Sequence, residues 1–287
     1  MSTLSEASGT TIGLIAGEGM FPLRFAASAR RAGHRVVAVA LEGEADPSIE
    51  AHCDEVSWLH VGKLGAMVEF LRSAGATKAA MAGAVAKVQL FGGLRPDLAA
   101  LKLATKLPSF ETDKILRAVA AVFEEEGIPI VDPLAYCPDL VAREGIYGRR
   151  KPDKAVWQDI EFGLRIAASL HRSEVGQTVC VKKGNVVAVE AMEGTDRCIL
   201  RAGEIAGKGV VVVKTPTAGQ DMRLDAPTVG PTTIESCVRI GAACLAIAVG
   251  KTVVLDEATM VERADKAKLA VVGVHPRDQG GASWTKG

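Results

Sequence analysis

The sequence predicts an α/β protein of two domains, the first built on a parallel sheet with helices on both faces. Three features carry that expectation. Short apolar runs ending near glycine alternate with helix-length segments from residue 11 onward. A polar, basic stretch with two glycines and a proline, "REGIYGRRKPDKA" (143–155), interrupts the pattern. The alternation then begins again.

"TIGLIAG" (11–17) has the length and composition of a buried strand. Pro22 suits the first helical position, and a helix over 22–32 stops at Gly33. "HRVVAVALEG" (34–43) is a second strand. A helix over about 62–74 precedes the apolar "KAAMAGAV" (78–85), and another over about 111–126 leads through Gly127 into "IPIVDP" (128–133). Strands alternating with helices imply a Rossmann-like domain over 11–134, behind a flexible N-terminus of residues 1–10. Residues 135–154 read as a linker or hinge.

The second domain, 155–275, opens with a helix over 155–171. "QTVCVKKGNVVAVEA" (177–191) reads as two strands around a Gly184-Asn185 turn. "GTDRCILRAGEIAG" (194–207) is a helix with Thr195 or Asp196 available as its cap. "GVVVVKT" (209–215) is a buried strand. A capping box from Thr232 to Glu235 predicts a helix running to 249 and closed by Gly250. "KTVVLD" (251–256), a further helix and "KLAVVGV" (268–274) complete the domain, and residues 276–287 form a flexible tail.

Composition narrows the class. At 287 residues the chain is long enough for two modest cores, and 48% hydrophobic against 24% charged residues describes a folded protein. A formal charge of 0 gives no overall attraction to nucleic acid or an anionic membrane. No apolar run reaches the roughly 20 residues that span a bilayer. The N-terminal "MSTLSEASGT" lacks the regions of a signal peptide. Cys53, Cys137, Cys180, Cys198, Cys237 and Cys244 show no C-x-x-C and sit in apolar surroundings, as reduced core residues of a cytoplasmic protein do.

Four stretches could carry chemistry. "GEGMFP" (17–22) follows the first strand, and Gly17, Gly19 and Met20 form either a backbone cradle for phosphate or nucleotide or simply a tight turn. Pro22 stands where a dinucleotide fingerprint needs its third glycine, so NAD is not established even with Glu42 and Glu44 at a suitable distance. "MAGAVAK" (81–87) puts Gly83 at the end of another strand, for close ligand approach or a turn. "VEAMEGTD" (189–196) brings Glu190, Glu193 and Asp196 together where a strand passes to a helix, either as a functional cluster or with Glu190 and Glu193 solvated and Asp196 capping the helix.

The fourth stretch, "GQDMRLDAPTVGP" (219–231), joins the end of a strand to the start of a helix, the edge where ligands of open α/β sheets gather. With Lys214 before it, it offers an amide (Gln220), a guanidinium (Arg223) and two carboxylates (Asp221, Asp225). Such a set suits polyphosphate chemistry: cations neutralise phosphoryl charge, and carboxylates hold Mg²⁺ or orient water. Asp225 directly precedes the rigid Ala226-Pro227 step. P-loop, H-E-x-x-H and G-x-S-x-G motifs are missing, and the five histidines show no ligand spacing.

These strings together resemble the LpxI family, UDP-2,3-diacylglucosamine pyrophosphatases of lipid A biosynthesis. "GLIAGEGMFP", "IPIVDP", "VEAMEGTD" and "GQDMRLDAPTVGPTTIE" carry the resemblance, over roughly residues 11 to 274. Leu224 stands where the family usually has phenylalanine, and Glu174 where it usually has aspartate. The resemblance implies Mg²⁺-assisted hydrolysis to UMP and 2,3-diacylglucosamine 1-phosphate (lipid X), with water directed at the sugar-side phosphorus and Asp225 essential. Substrate contacts are then expected from Gly17, Gly19, Met20, Gly83, Thr195, Lys214, Gln220 and Arg223, and metal contacts from Asp225, Asp221 and Asp196. The expected partners are a lipid-linked UDP-sugar, the inner face of the inner membrane in transient contact, and a second copy in a homodimer, but no nucleic acid. Two other classes compete: a nucleotide-dependent oxidoreductase, which lacks a catalytic His, Tyr or Lys constellation, and a non-catalytic nucleotide- or lipid-binding module.

Overall fold

The structure, a computed structural model, describes residues 9–85, 96–107, 112–170, 175–216 and 220–275. The expected tail and Gly219 lie outside them. Contacts divide the chain into a first unit of residues 1–139 plus 221–225 and a second of 140–220 plus 226–287.

In the first unit, β1 (Thr11–Ala16), α1 (Phe21–Arg31), β2 (Arg35–Leu41), α2 (Ile49–His52), β3 (Glu55–Leu59), α3 (Leu64–Ser73) and β4 (Lys78–Ala82) follow in order, then α4 (Leu98–Lys106) and α5 (Thr112–Glu125). The sheet order is β3-β2-β1-β4 and every pairing is parallel. Ile130 extends it through a parallel bridge to Ala79, so "IPIVDP" lies along β4 without becoming a full strand. The chain winds outward from β1 to β3 and returns on the other side to β4. The topological switch point therefore lies between β1 and β4, and it is there that such sheets take ligands.

Helix α1 begins at Phe21, one residue before Pro22, with no side-chain cap. The strand β3 and the helices α2 and α4 are not among the elements read from the sequence. Strand β3, "EVSWL", is an edge strand with no fully buried residue, so it lacks the apolar run that marks β1 and β2.

The second unit holds β5 (Gly145–Tyr147), α6 (Lys154–Leu170), β6 (Thr178–Lys182), β7 (Asn185–Val189), α7 (Thr195–Ala206) and β8 (Val211–Lys214). It continues with β9 (Thr228–Val229), α8 (Pro231–Arg239), β10 (Cys244–Ala248), β11 (Val253–Val254), α9 (Glu257–Ala267) and β12 (Ala270–Val274). Its sheet is mixed, in the order β5-β12-β10-β8-β6-β7, with β12, β10 and β8 parallel and the rest antiparallel. Val212, Leu245 and Val271 face one apolar cluster with Ile199 and Ile234; Val213, Ala246 and Val272 face another with Ile160 and Leu164. All six cysteines are free and buried. No helix among the described residues is long and apolar enough to cross a membrane.

Several local expectations are corrected. The stretch read as a linker contains β5, which closes one edge of the sheet by pairing with β12. The hairpin turn is Lys183-Gly184, one residue early, both at positive φ (49° and 70°); Asp159 pins it by accepting their two amides at 2.8 and 2.7 Å. Neither Thr195 nor Asp196 caps α7, whose N-cap is Gly194, and the Thr232–Glu235 capping box is not formed, because α8 starts at Pro231 after Gly230. That helix ends at Arg239 rather than 249. Gly241, at φ 64°, breaks it, and "CLAIA" becomes the fully buried β10. An apolar run beside a helix has no periodicity to tell strand from helix. Of "KTVVLD" only Val253–Val254 is a strand, paired with β9 apart from the main sheet.

Candidate active site

At the switch point of the first unit two glycine loops run side by side. Gly17 donates its amide to the Ala82 carbonyl at 2.9 Å, and Glu18 and Ala84 exchange amide hydrogen bonds at 2.7 and 3.0 Å. Glycine is required on both strands of this contact. A Cβ at Gly17 would lie 2.3 Å from the Ala84 carbonyl oxygen; one at Gly83, where φ is 89°, would lie 2.6 Å from that of Glu18. Gly19, at φ 98°, turns the chain into α1, where half-exposed Met20 is the N-cap and Pro22 has no amide to offer. The amides of Gly17 and Glu18 are thus committed to carbonyls, and donors for an anion would come from the start of α1. Gly83→Ala should cost about 3 kcal/mol, combining backbone strain with overpacking, as read by denaturant unfolding. An unchanged unfolding midpoint would show that the two loops do not meet this way.

Residues 221–225 fold with this unit although most of their sequence neighbours do not. They form a single turn in which the Asp221 carbonyl accepts the amides of Leu224 (2.9 Å) and Asp225 (3.2 Å). Leu224, 8% exposed, joins the core cluster that includes Phe123, Ile128 and Ile130. Arg223 grips Asp221 through Nε at 3.0 Å and Nη2 at 2.8 Å. Its Nη1 reaches Glu124 at 3.3 Å and the Ile130 carbonyl at 3.4 Å. Arg117 adds a second cation 3.6 Å from Asp221. These contacts hold the Asp221 carboxyl below the usual carboxylate range, the Arg223 hydrogen bond being the largest cause. Asp225, one residue past the anchor, is exposed.

The sequence reading missed Arg117, Glu124 and Asp132 as neighbours of this turn. Arg117 and Glu124 lie seven apart and so share a face of α5, a hint that names no partner. Burial pushes the Asp132 carboxyl up, and the Asp221 charge adds to it.

Arg223→Ala should destabilise by about 1–3 kcal/mol, because a mostly buried carboxylate would lose its main partner. Calorimetry checks this, and no change would mean the turn is held by Leu224 alone. A depressed folded-state pKa contributes stability that is present above the unfolded value and lost as pH falls through the folded one. The Asp221 contribution is therefore constant from about pH 5 to 8, and an acid limb of activity in that range would belong to another group.

In the second unit, the ends of β7 and β8 and the start of α7 bring Glu190, Thr195 and Lys214 together. The Lys214 Nζ donates to Thr195 Oγ1 and to the Thr228 carbonyl, each at 2.9 Å; Thr195 Oγ1 donates to Glu190 Oε2 at 3.1 Å. The other two acids of "VEAMEGTD" point elsewhere. Glu193 pairs with Arg201 and takes the Ala191 amide at 3.0 Å; Asp196 accepts from Ser236 Oγ at 2.9 Å. Gln220 is part-exposed at the end of this unit's first segment. Among the described residues no three of His, Cys, Asp and Glu gather closely enough to hold a metal by themselves.

Models of the LpxI N-terminal and C-terminal domains match residues 11–140 and 143–272. The chain belongs to the LpxI family. It is 32% identical over 282 residues to the UDP-2,3-diacylglucosamine pyrophosphatase LpxI of Caulobacter vibrioides, covering 93% of this chain and 99% of that one. Among solved structures, phosphoribosylglycinamide synthetase from Anaerococcus prevotii is 10% identical with a TM-score of 0.27, over 65% of this chain and 40% of that one. The biotin carboxylase domain of Hydrogenobacter thermophilus 2-oxoglutarate carboxylase is 15% identical with a TM-score of 0.25, over 68% and 41%. The chain spans less than half of either structure, and likenesses this weak carry no argument.

The LpxI C-terminal match includes 221–225, five residues that pack with the first unit. Leu224 sits at a buried apolar position, where leucine or phenylalanine would supply apolar volume.

Proposed function

We propose that this protein hydrolyses the diphosphate of UDP-2,3-diacylglucosamine, giving UMP and 2,3-diacylglucosamine 1-phosphate. The observation that carries the reading is membership of the LpxI family along nearly the whole chain. The local geometry agrees with it. Asp225 is an exposed carboxylate on a turn whose neighbours are anchored, the setting for a group that must meet substrate without moving.

In this account water attacks the sugar-side phosphorus, the bridging P–O bond breaks, and UMP leaves as a phosphate monoester. Asp225 takes the proton of the attacking water or acts as the protein ligand of a divalent cation. In the first unit Asp221 and Arg223 hold the turn that carries Asp225; in the second, Lys214 is the candidate cation for a substrate phosphate. Mg²⁺ belongs to this proposal. It commonly uses one or two carboxylates plus substrate phosphates, a sparse donor set that the exposed Asp225 fits. Asp221 is gripped by Arg223, and Asp196 accepts from Ser236. A divalent cation held with the help of Asp225 would supply positive charge where negative charge builds up on the leaving group.

The proposal includes a cytoplasmic location and a homodimer, and a lipid-linked substrate supports transient contact with the inner face of the inner membrane. Turnover in ¹⁸O-water tests the attack. The label should enter the lipid 1-phosphate, and label in UMP would overturn attack at the sugar-side phosphorus.

A further inference from the structure

Lys214 ends β8 with only 6% of its surface exposed. A buried ammonium needs acceptors aimed at it, and a threonine hydroxyl can be a donor or an acceptor. Which one it is here depends on Glu190. The single proton of Thr195 Oγ1 goes to Glu190 Oε2, 3.1 Å away, so the hydroxyl oxygen faces Lys214 Nζ as an acceptor at 2.9 Å. The Thr178 hydroxyl adds a longer contact to the same oxygen at 3.4 Å. The backbone of Glu190 is itself fixed, since its amide donates to the Thr178 carbonyl at 2.9 Å. Glu193 and Asp196, engaged with Arg201 and Ser236, do not share this arrangement.

We infer that Glu190 is a positioning residue, which through Thr195 holds the Lys214 ammonium in place at the carboxyl end of β8 for a substrate phosphate. The use made of Lys214 rests on the proposed hydrolysis; the chain Glu190–Thr195–Lys214 does not. The carboxylate-to-hydroxyl bond also explains why a second acid near Thr195 would not substitute for Glu190, because only an acceptor on the hydroxyl's proton side orients its oxygen toward lysine.

The test uses the full-length protein as wild type, Glu190→Gln, Glu190→Ala, Thr195→Val and the Glu190→Ala/Thr195→Val double variant. Acetylation of Lys214 by an N-hydroxysuccinimide ester is followed by peptide mass spectrometry, with exposed Lys183 as the internal reference. Lys214 should react more slowly than Lys183 in the wild type and several-fold faster in Glu190→Ala and Thr195→Val. Glu190→Gln, whose amide oxygen still accepts from Thr195, should stay near wild type and covers the case in which Glu190→Ala does not fold. In UDP-lipid turnover, Glu190→Ala should lower kcat about tenfold more than it raises KM, and the double variant should be no slower than Thr195→Val alone. Unchanged Lys214 reactivity in Glu190→Ala, or losses that multiply in the double variant, would overturn the inference. Altered reactivity together with a wild type that does not hydrolyse the UDP-lipid would instead refute the proposed function and leave the positioning intact.

Discussion

Asp225→Ala is expected to unfold at the wild-type temperature, to bind the UDP-lipid still, and to lose on the order of 10² to 10⁴ in kcat. The expectation follows from where the residue sits. The turn is fixed by Leu224 in the core and by Arg223 on Asp221, Glu124 and the Ile130 carbonyl, while the Asp225 side chain is exposed. Truncating it removes the carboxylate while Leu224 and Arg223 keep their partners. Asp221→Ala should behave in the opposite way, losing stability first and activity as a consequence, because its carboxylate belongs to the anchor. Calorimetry and steady-state kinetics on the pair separate the two roles. An active Asp225→Ala, or one that fails only by unfolding, would return this turn to a structural part.

Chelation should abolish turnover, and added Mg²⁺ should restore it. Hydrolysis of a diphosphate builds negative charge on the leaving phosphate, while the Lys214 ammonium donates to Thr195 and the Thr228 carbonyl and the Arg223 guanidinium is engaged by Asp221 and Glu124. A divalent cation is the charge that the proposed chemistry calls for there. Full activity in EDTA, measured as UMP release, would remove the metal from the account.

How much of this could be read from sequence depends on where the information lies. Strands β1, β2 and β8 are continuous buried apolar runs, and such runs identify themselves. Strand β5 is three residues long and owes its existence to β12, so "GIY" read as linker. The glycine loops were visible one at a time. Their adjacency comes from the sheet order, in which β4 returns beside β1, and strand order is a tertiary fact. The same holds for the turn at 221–225. Its glycine and prolines and its place between strand and helix were legible, whereas its packing with the first unit depends on Leu224 and Arg223 finding partners about a hundred residues away. Glu190 shows the reverse error. An acid beside two other acids looks solvated, and only the hydrogen bonds from Thr195 to Glu190 and from Lys214 to Thr195 point to a task for it.

The most direct test of the central claim is to incubate the purified protein with UDP-2,3-diacylglucosamine and Mg²⁺ and identify both products by mass spectrometry. The account predicts UMP and 2,3-diacylglucosamine 1-phosphate in equal amounts, with neither formed by Asp225→Ala at a comparable rate. Release of UDP and free diacylglucosamine, or binding of the UDP-lipid without any turnover, would contradict it.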